Sequence, residues 1–237
     1  MTAILDAVAR ALRDLFSLRV LWVVVWPMLV AILLWLALGV TFWSTFSGWL
    51  TQGLDAIGIR TWLAEIEPVW VASGIQLLLH LLLFVPLVML TALVITALFG
   101  MPALIRVVAE RDYPDLGREN GGGMIGSVWN AGIAIVVFIV LWVVTLPLWL
   151  IGVGVLVPFV AAAYLNQRLF RYDAIAEHAS ADEMQQLFKQ ERGGWWGLGV
   201  LTGLLQFVPL LNLLAPVVAA LAFIHFGLAR LARLRAV

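Results

Sequence analysis

Long uncharged runs alternate with short polar segments along this chain. The first 16 residues place Ile4, Leu5, Val8, Leu12, Leu15 and Phe16 at helical spacing. Asp6, Arg10, Arg13 and Asp14 fall on the other side, so residues 1–16 read as an amphipathic helix. Such a helix lies in a membrane interface or packs on the protein's own polar segments. Val20 to Phe46 then carries no charge, and Trp22, Trp26, Trp43 and Trp49 mark its ends as an interfacial aromatic belt would. Residues 69–99 form a second uncharged stretch. Both exceed the roughly 20 residues that cross the hydrocarbon core. Pro27 lies near the start of the first run, while Pro86 is internal to the second and predicts a kink.

Ser47 to Pro68 is mixed, with Asp55, Arg60, Glu65 and Glu67, and Gly100 to Gly123 is polar. Residues 124–165 are uncharged but broken by Thr145-Leu146-Pro147, Gly152, Gly154 and Pro158, which predicts a helical hairpin with short arms. Residues 166–192 are the main polar segment, expected on the cytoplasmic side. Within it, Ser180-Ala181-Asp182-Glu183 is a capping box that starts a helix at about Ala181. Residues 195–229 read as a second hairpin around Pro209, Asn212 and Pro216. Its first arm, Trp195 to Val208, is too short to cross a bilayer. The expected fold is therefore an all-α integral membrane protein forming a single membrane domain over 1–237. It has an N-terminal interfacial helix, two long transmembrane helices and two partly penetrating helical hairpins.

Composition reinforces this pattern. Of 237 residues, 64% are hydrophobic and 12% charged, against about half and a quarter in ordinary globular domains. The 14 basic residues balance 14 acidic ones, so no nucleic-acid partner is suggested. The absence of Cys excludes thiol chemistry, disulfides and Cys-based metal sites. The N-terminus lacks the pattern of a cleavable signal. If both hairpins return to their starting side, 13 of the 14 basic residues share one side and only Arg60 lies on the other. The positive-inside rule then places both termini in the cytoplasm. Six full spans would give the same sidedness.

The four apolar blocks contain no Asp, Glu, Lys or Arg, which argues against an ion-coupled carrier and against a paired-aspartate protease. Their polar side chains of note are Gln76, His80, Asn130, Gln206, Asn212 and His225. His80 either lines a pore or bonds a neighbouring helix; His225 reads as structural. No phosphate-binding loop, dinucleotide fingerprint or zinc motif is present, so neither a cofactor nor an enzyme is expected. Asn212 between two prolines either caps the turn or lines a polar path, as broken helices do in transporters. Arg19, Arg106 and the Arg118-Glu119 pair either meet an oxyanion at a pore mouth or anchor the helices at headgroup level.

The order of these elements resembles the CysZ-type sulfate permeases and the wider etoposide-induced protein 2.4 family. The most specific match is FVPLLNLLAPVVAALAFIHF, residues 207–226; MPALIRVVAERDYP and AAAYLNQRLFRYD are similar but weaker. The resemblance implies an oligomeric channel or permease of the bacterial inner membrane that passes sulfate or a similar oxyanion. The alternative is a non-transporting scaffold of the same family. It also implies an anion site at Ser17, Leu18 and Arg19, a pore-lining turn at Pro209, Asn212 and Pro216, and a pore mouth including Arg118 and Glu119. Phe16-Ser17 stands where the family pattern has Pro-Gly. The one-sided arginines argue against a dual topology.

Overall fold

The computed structural model describes residues 2–59, 66–150, 152–209 and 211–236. Arg60 and Glu65, which figure in the charge argument, lie outside them. Helix accounts for 86% of the structure, and the described residues hold no strand. Among the described residues the α-helices are α1 Thr2–Leu15, α2 Leu18–Thr41, α3 Trp43–Ala56, α4 Val69–Asp112, α5 Met124–Val144, α6 Leu146–Leu150, α7 Val157–Ala176, α8 Ala181–Gln190, α9 Arg192–Leu205 and α10 Leu211–Arg235. A short 3-10 turn, Val153–Leu156, precedes α7. Among the described residues, four helices are long and apolar enough to cross a membrane: 18–41, 70–96, 125–144 and 214–235. The chain is thus a multi-pass helical membrane protein.

Two compact units divide the chain. One comprises residues 24–99, the other residues 1–23 with 100–237. In the first, α2 and the apolar part of α4 meet through aromatic contacts. Trp35 donates its indole N–H to Thr91 Oγ1 at 2.9 Å, and its ring packs edge-on against Phe84. Gly39 faces the same Phe84 ring. His80 lies flat against Trp43, with ring centroids 5.1 Å apart. Its Nδ1 lies 2.8 Å from the carbonyl of Gln76, one turn earlier on the same helix. That contact lies within its own helix, and its buried Nε2 has no partner among the described residues. Large apolar side chains such as Leu33, Leu36, Leu78 and Leu82 point outward, as a lipid-facing surface requires.

The second unit has a dry core built on α10. Phe223, Ile224, Leu228 and Leu231 are fully buried. Trp195 of α9 is the hub: its ring stacks on Phe223 and meets Phe226 edge-on at 4.9 Å. Its indole N–H is answered by the Leu187 carbonyl at 3.2 Å. Helices α7 and α9 approach very closely. A Cβ on Gly199 would stand 2.6 Å from the Ala163 carbonyl oxygen, and one on Gly203 would stand 3.4 Å from Ala163 Cα. The small residues at 199 and 203 form the four-residue spacing that lets helix backbones touch in lipid.

Several boundaries differ from those read in the sequence. The first apolar run breaks at Phe42, so α2 ends at Thr41 and α3 carries the chain to Ala56. The second run does not stop at Phe99: α4 continues to Asp112. Leu104, Ile105, Val108 and Ala109 supply the reason, because they form an apolar stripe buried in the second unit's core. Likewise α7 runs on past Leu165 to Ala176, where Ala174, Ile175 and Ala176 are buried. Polar residues on the opposite face obscure this continuation when only charge is counted. The capping box forms as expected. Glu183 N–H donates to Ser180 Oγ at 3.2 Å, and Ser180 N–H donates to Glu183 Oε2 at 2.7 Å.

Candidate functional site

The amphipathic helix α1 lays one face on α10, burying Ala7, Ala11, Asp14 and Leu15. Leu5 and Leu12, and Phe16 just beyond the helix, stay exposed. The expected apolar face is thus split, part held by protein and part left outward. Asp14 corrects the sequence reading, which set it on the polar side. Residues 7, 11 and 14 share one helical face, so the two alanines were the available signal that Asp14 turns inward.

At Asp14, three helices converge. Arg111 of α4 donates Nη1 to Asp14 Oδ1 at 2.9 Å and Nη2 to Asp14 Oδ2 at 2.5 Å. The same guanidinium donates Nε to Asp112 Oδ1 at 2.7 Å. His225 Nε2 of α10 lies 2.8 Å from Asp14 Oδ2, and its Nδ1 is 3.7 Å from Asp112 Oδ2. Burial pushes the Asp14 carboxyl up, but hydrogen bonds from Arg111 and His225 outweigh it and hold the group below its ordinary value. Arg111 holds Asp112 low by the same bonding. Asp14, Asp112 and His225 could present ligand atoms to one metal ion. However, the Arg111 guanidinium already bonds both carboxylates and supplies the positive charge a cation would bring. The geometry is that of an ionic staple joining α1, α4 and α10. Sequence reading missed it because its members are far apart in the chain.

A cavity of about 370 Å³ opens beside the staple, lined in part by Arg10, Tyr113, His225, Arg230 and Arg233. Two of its cations are already paired, Arg10 with Asp6 at 3.0 Å and Arg230 with Glu191 at 3.2 Å.

The residues singled out by sequence lie elsewhere. Ser17 caps α2, its Oγ accepting the Val20 N–H at 3.3 Å. Leu18 and Arg19 are exposed. The remaining free N–H groups of that first turn point along the helix axis, where an anion is favoured. The expected turn ends earlier than the prolines suggest: Pro209 precedes α10, whereas Asn212 and Pro216 lie within it, and all three are exposed. The Asn212 N–H donates to the Val208 carbonyl at 3.0 Å. Pro216 has no N–H to return to the Asn212 carbonyl. Leu210, within this turn, lies outside the described residues.

Arg118 pairs with Glu177 at 3.2 Å. The Glu119 N–H donates to the His178 carbonyl, so the segment 119–122 is strapped along the end of α7. Gly121 permits that approach: a Cβ there would lie 2.3 Å from backbone atoms of Ser180 and Ala181. Among the described residues, no hydrogen bond or ion pair joins these three predicted sites to one another. Asn130 and Gln206 are bonded between helices, to the Arg168 carbonyl at 2.9 Å and to Asn166 Oδ1 at 3.3 Å.

No curated protein and no solved structure matches the chain. A family model does, over residues 7–216, from within α1 to the early part of α10. With its multi-pass apolar helices and this match over most of its length, the chain belongs to the sulfate transporter CysZ/etoposide-induced protein 2.4 family.

Proposed function

We propose that the protein conducts sulfate or a similar oxyanion passively across the bacterial inner membrane, as a homo-oligomer embedded in the lipid bilayer. The observation that carries this reading is the family match across residues 7–216 of a chain whose apolar stretches 20–46, 69–99, 124–165 and 193–227 hold no Asp, Glu, Lys or Arg. These stretches therefore lack the midplane carboxylate that proton-coupled carriers commonly use. The first turn of α2, with Arg19, receives the anion. The turn at Pro209, Asn212 and Pro216 lines the path, and Arg118 with Glu119 sets its mouth. Both termini face the cytoplasm, on the strength of the one-sided arginines.

The rival reading, a non-transporting scaffold, draws on one observation: the Ser17 hydroxyl is already engaged by its own helix. Uptake of radiolabelled sulfate into liposomes holding the purified protein separates the two. Saturable uptake that falls with Arg19→Ala and with Asn212→Leu supports conduction at these positions. Uptake no greater than that of empty liposomes, from folded and inserted protein, supports the scaffold.

A further inference from the structure

Helices α7, α8 and α9 enclose a second cavity, of about 520 Å³, into which Arg168, Arg171, Lys189 and Arg192 converge. No carboxylate lines it. Among the described residues none of these four cations has an acidic partner, whereas Arg10, Arg111, Arg118, Arg230 and Arg235 are all ion-paired. Arg171 instead lies over the Phe188 ring at 4.7 Å. Its burial and the like charges of Arg168 and Arg192 bring it down to about 10. Gathering four like charges without a counter-ion is unfavourable, the more so near apolar helices.

A second observation points the same way. Gln167 lines the cavity and is 2% exposed, yet its Nε2 has no acceptor among the described residues; nor has the buried Nε of Arg168. Buried donors without acceptors are rare in folded proteins. Here both belong to residues that line a cavity rich in positive charge. A bound group with several acceptor oxygens and a negative charge would answer both features at once.

The surroundings indicate where such a group comes from. Tyr164 and Trp196 pair at the cavity, their ring centroids 6.3 Å apart. One turn away, Val160 of α7 and Val200 and Leu204 of α9 are exposed. Amphipathic rings beside an outward apolar surface mark headgroup level in a bilayer. An acyl chain along that surface would bring its phosphate to the four cations.

We propose that this cavity is a binding site for a phosphate-class oxyanion, held by Arg168, Arg171, Lys189, Arg192 and the Gln167 amide. The adjoining apolar surface favours the phosphate of an anionic phospholipid over a free ion. The site is separate from the path assigned to Arg19 and Asn212, so it stands or falls independently of sulfate conduction.

Two variants of the full chain in neutral detergent test it, Arg168→Gln/Arg171→Gln and Lys189→Gln/Arg192→Gln. The second pair is exposed, so those substitutions leave folding intact. Native mass spectrometry would read retention of phosphatidylglycerol against phosphatidylcholine. Thermal unfolding with and without inorganic phosphate would read the free ion. Wild type should retain phosphatidylglycerol in preference to phosphatidylcholine, with affinity falling about fivefold for each cation removed. Stabilisation by inorganic phosphate alone, lost in both variants, would support the same site with a soluble ligand. If the Lys189→Gln/Arg192→Gln variant binds both probes as wild type does, the proposal is overturned.

Discussion

Asp14 and Arg111 lie 97 residues apart in sequence and meet through two parallel hydrogen bonds at the base of α1. The same carboxylate receives His225, whose side chain is 1% exposed. One buried acid therefore fixes the N-terminal helix to both α4 and α10. Without it, α1 would rest on Ala7, Ala11 and Leu15, with Ile4 and Val8 at the edge of the core. A stripe of small residues permits close approach but buries little area per residue.

Replacing Asp14 with Ala should destabilise this unit by about 2–3 kcal/mol. That is below the cost of breaking a fully buried pair, because the Arg111 side chain is 40% exposed and water can reach it. Thermal unfolding of the detergent-solubilised variant checks this. A midpoint matching wild type would mean that the apolar contacts alone hold α1.

Acid should loosen this unit, and the sign follows from the lowered carboxyls. Hydrogen bonds from Arg235 bring Glu183 down to about 2 from an ordinary 4.5. A group depressed in the folded state contributes stability fully above its unfolded value and loses it as pH falls through the folded one. For Glu183 that window runs from 4.5 down to about 2. Asp14 and Asp112, also lowered, act in the same direction. Unfolding midpoints measured down this range should fall less steeply for Glu183→Gln than for wild type. Parallel curves would show that other groups carry the acid sensitivity.

Ser180→Ala should cost about 1 kcal/mol through loss of the N-terminal cap of α8. Hydrogen exchange at Glu183, whose N–H donates to the Ser180 hydroxyl, gives the local reading. Unchanged protection there would mean the Glu183 contacts suffice.

Gly199→Leu should disrupt the α7–α9 packing more severely than Gly193→Leu. A Cβ at 199 meets the Ala163 backbone, whereas one at 193 has nothing within 4 Å. Comparing yields of monodisperse protein and unfolding midpoints for the two variants checks it. Equal behaviour would place the close approach outside the stability of the fold.

Gly121→Ala should likewise fail to keep the 119–122 strap, since its Cβ would collide with backbone atoms and not with a movable side chain. Limited proteolysis between Asp115 and Met124 should accelerate in the variant. No change in the cleavage rate would show that the strap shifts to accommodate the methyl.

By itself the sequence determined the solvent and the element type. Uncharged runs of 20 residues or more leave lipid as the environment, and in lipid every backbone group must find a partner within a helix or a closed barrel. It also determined the start of α8, because a capping box is local chemistry readable within four residues. It marked a break at Pro209 for the same reason, although Asn212 and Pro216 lie inside α10. Only the tertiary structure decided that α4 continues to Asp112 and α7 to Ala176, since a polar helix is held in place by what packs on its other face. Only it turned Asp14 inward and brought it to Arg111 and His225. Only it gathered Arg168, Arg171, Lys189 and Arg192 around one cavity, while Arg10, Arg111, Arg118, Arg230 and Arg235 found acids. Charge counted along the chain gives the side of the membrane on which a residue sits. Which charges meet is set by helix rotation and packing, and those depend on contacts between residues far apart in sequence.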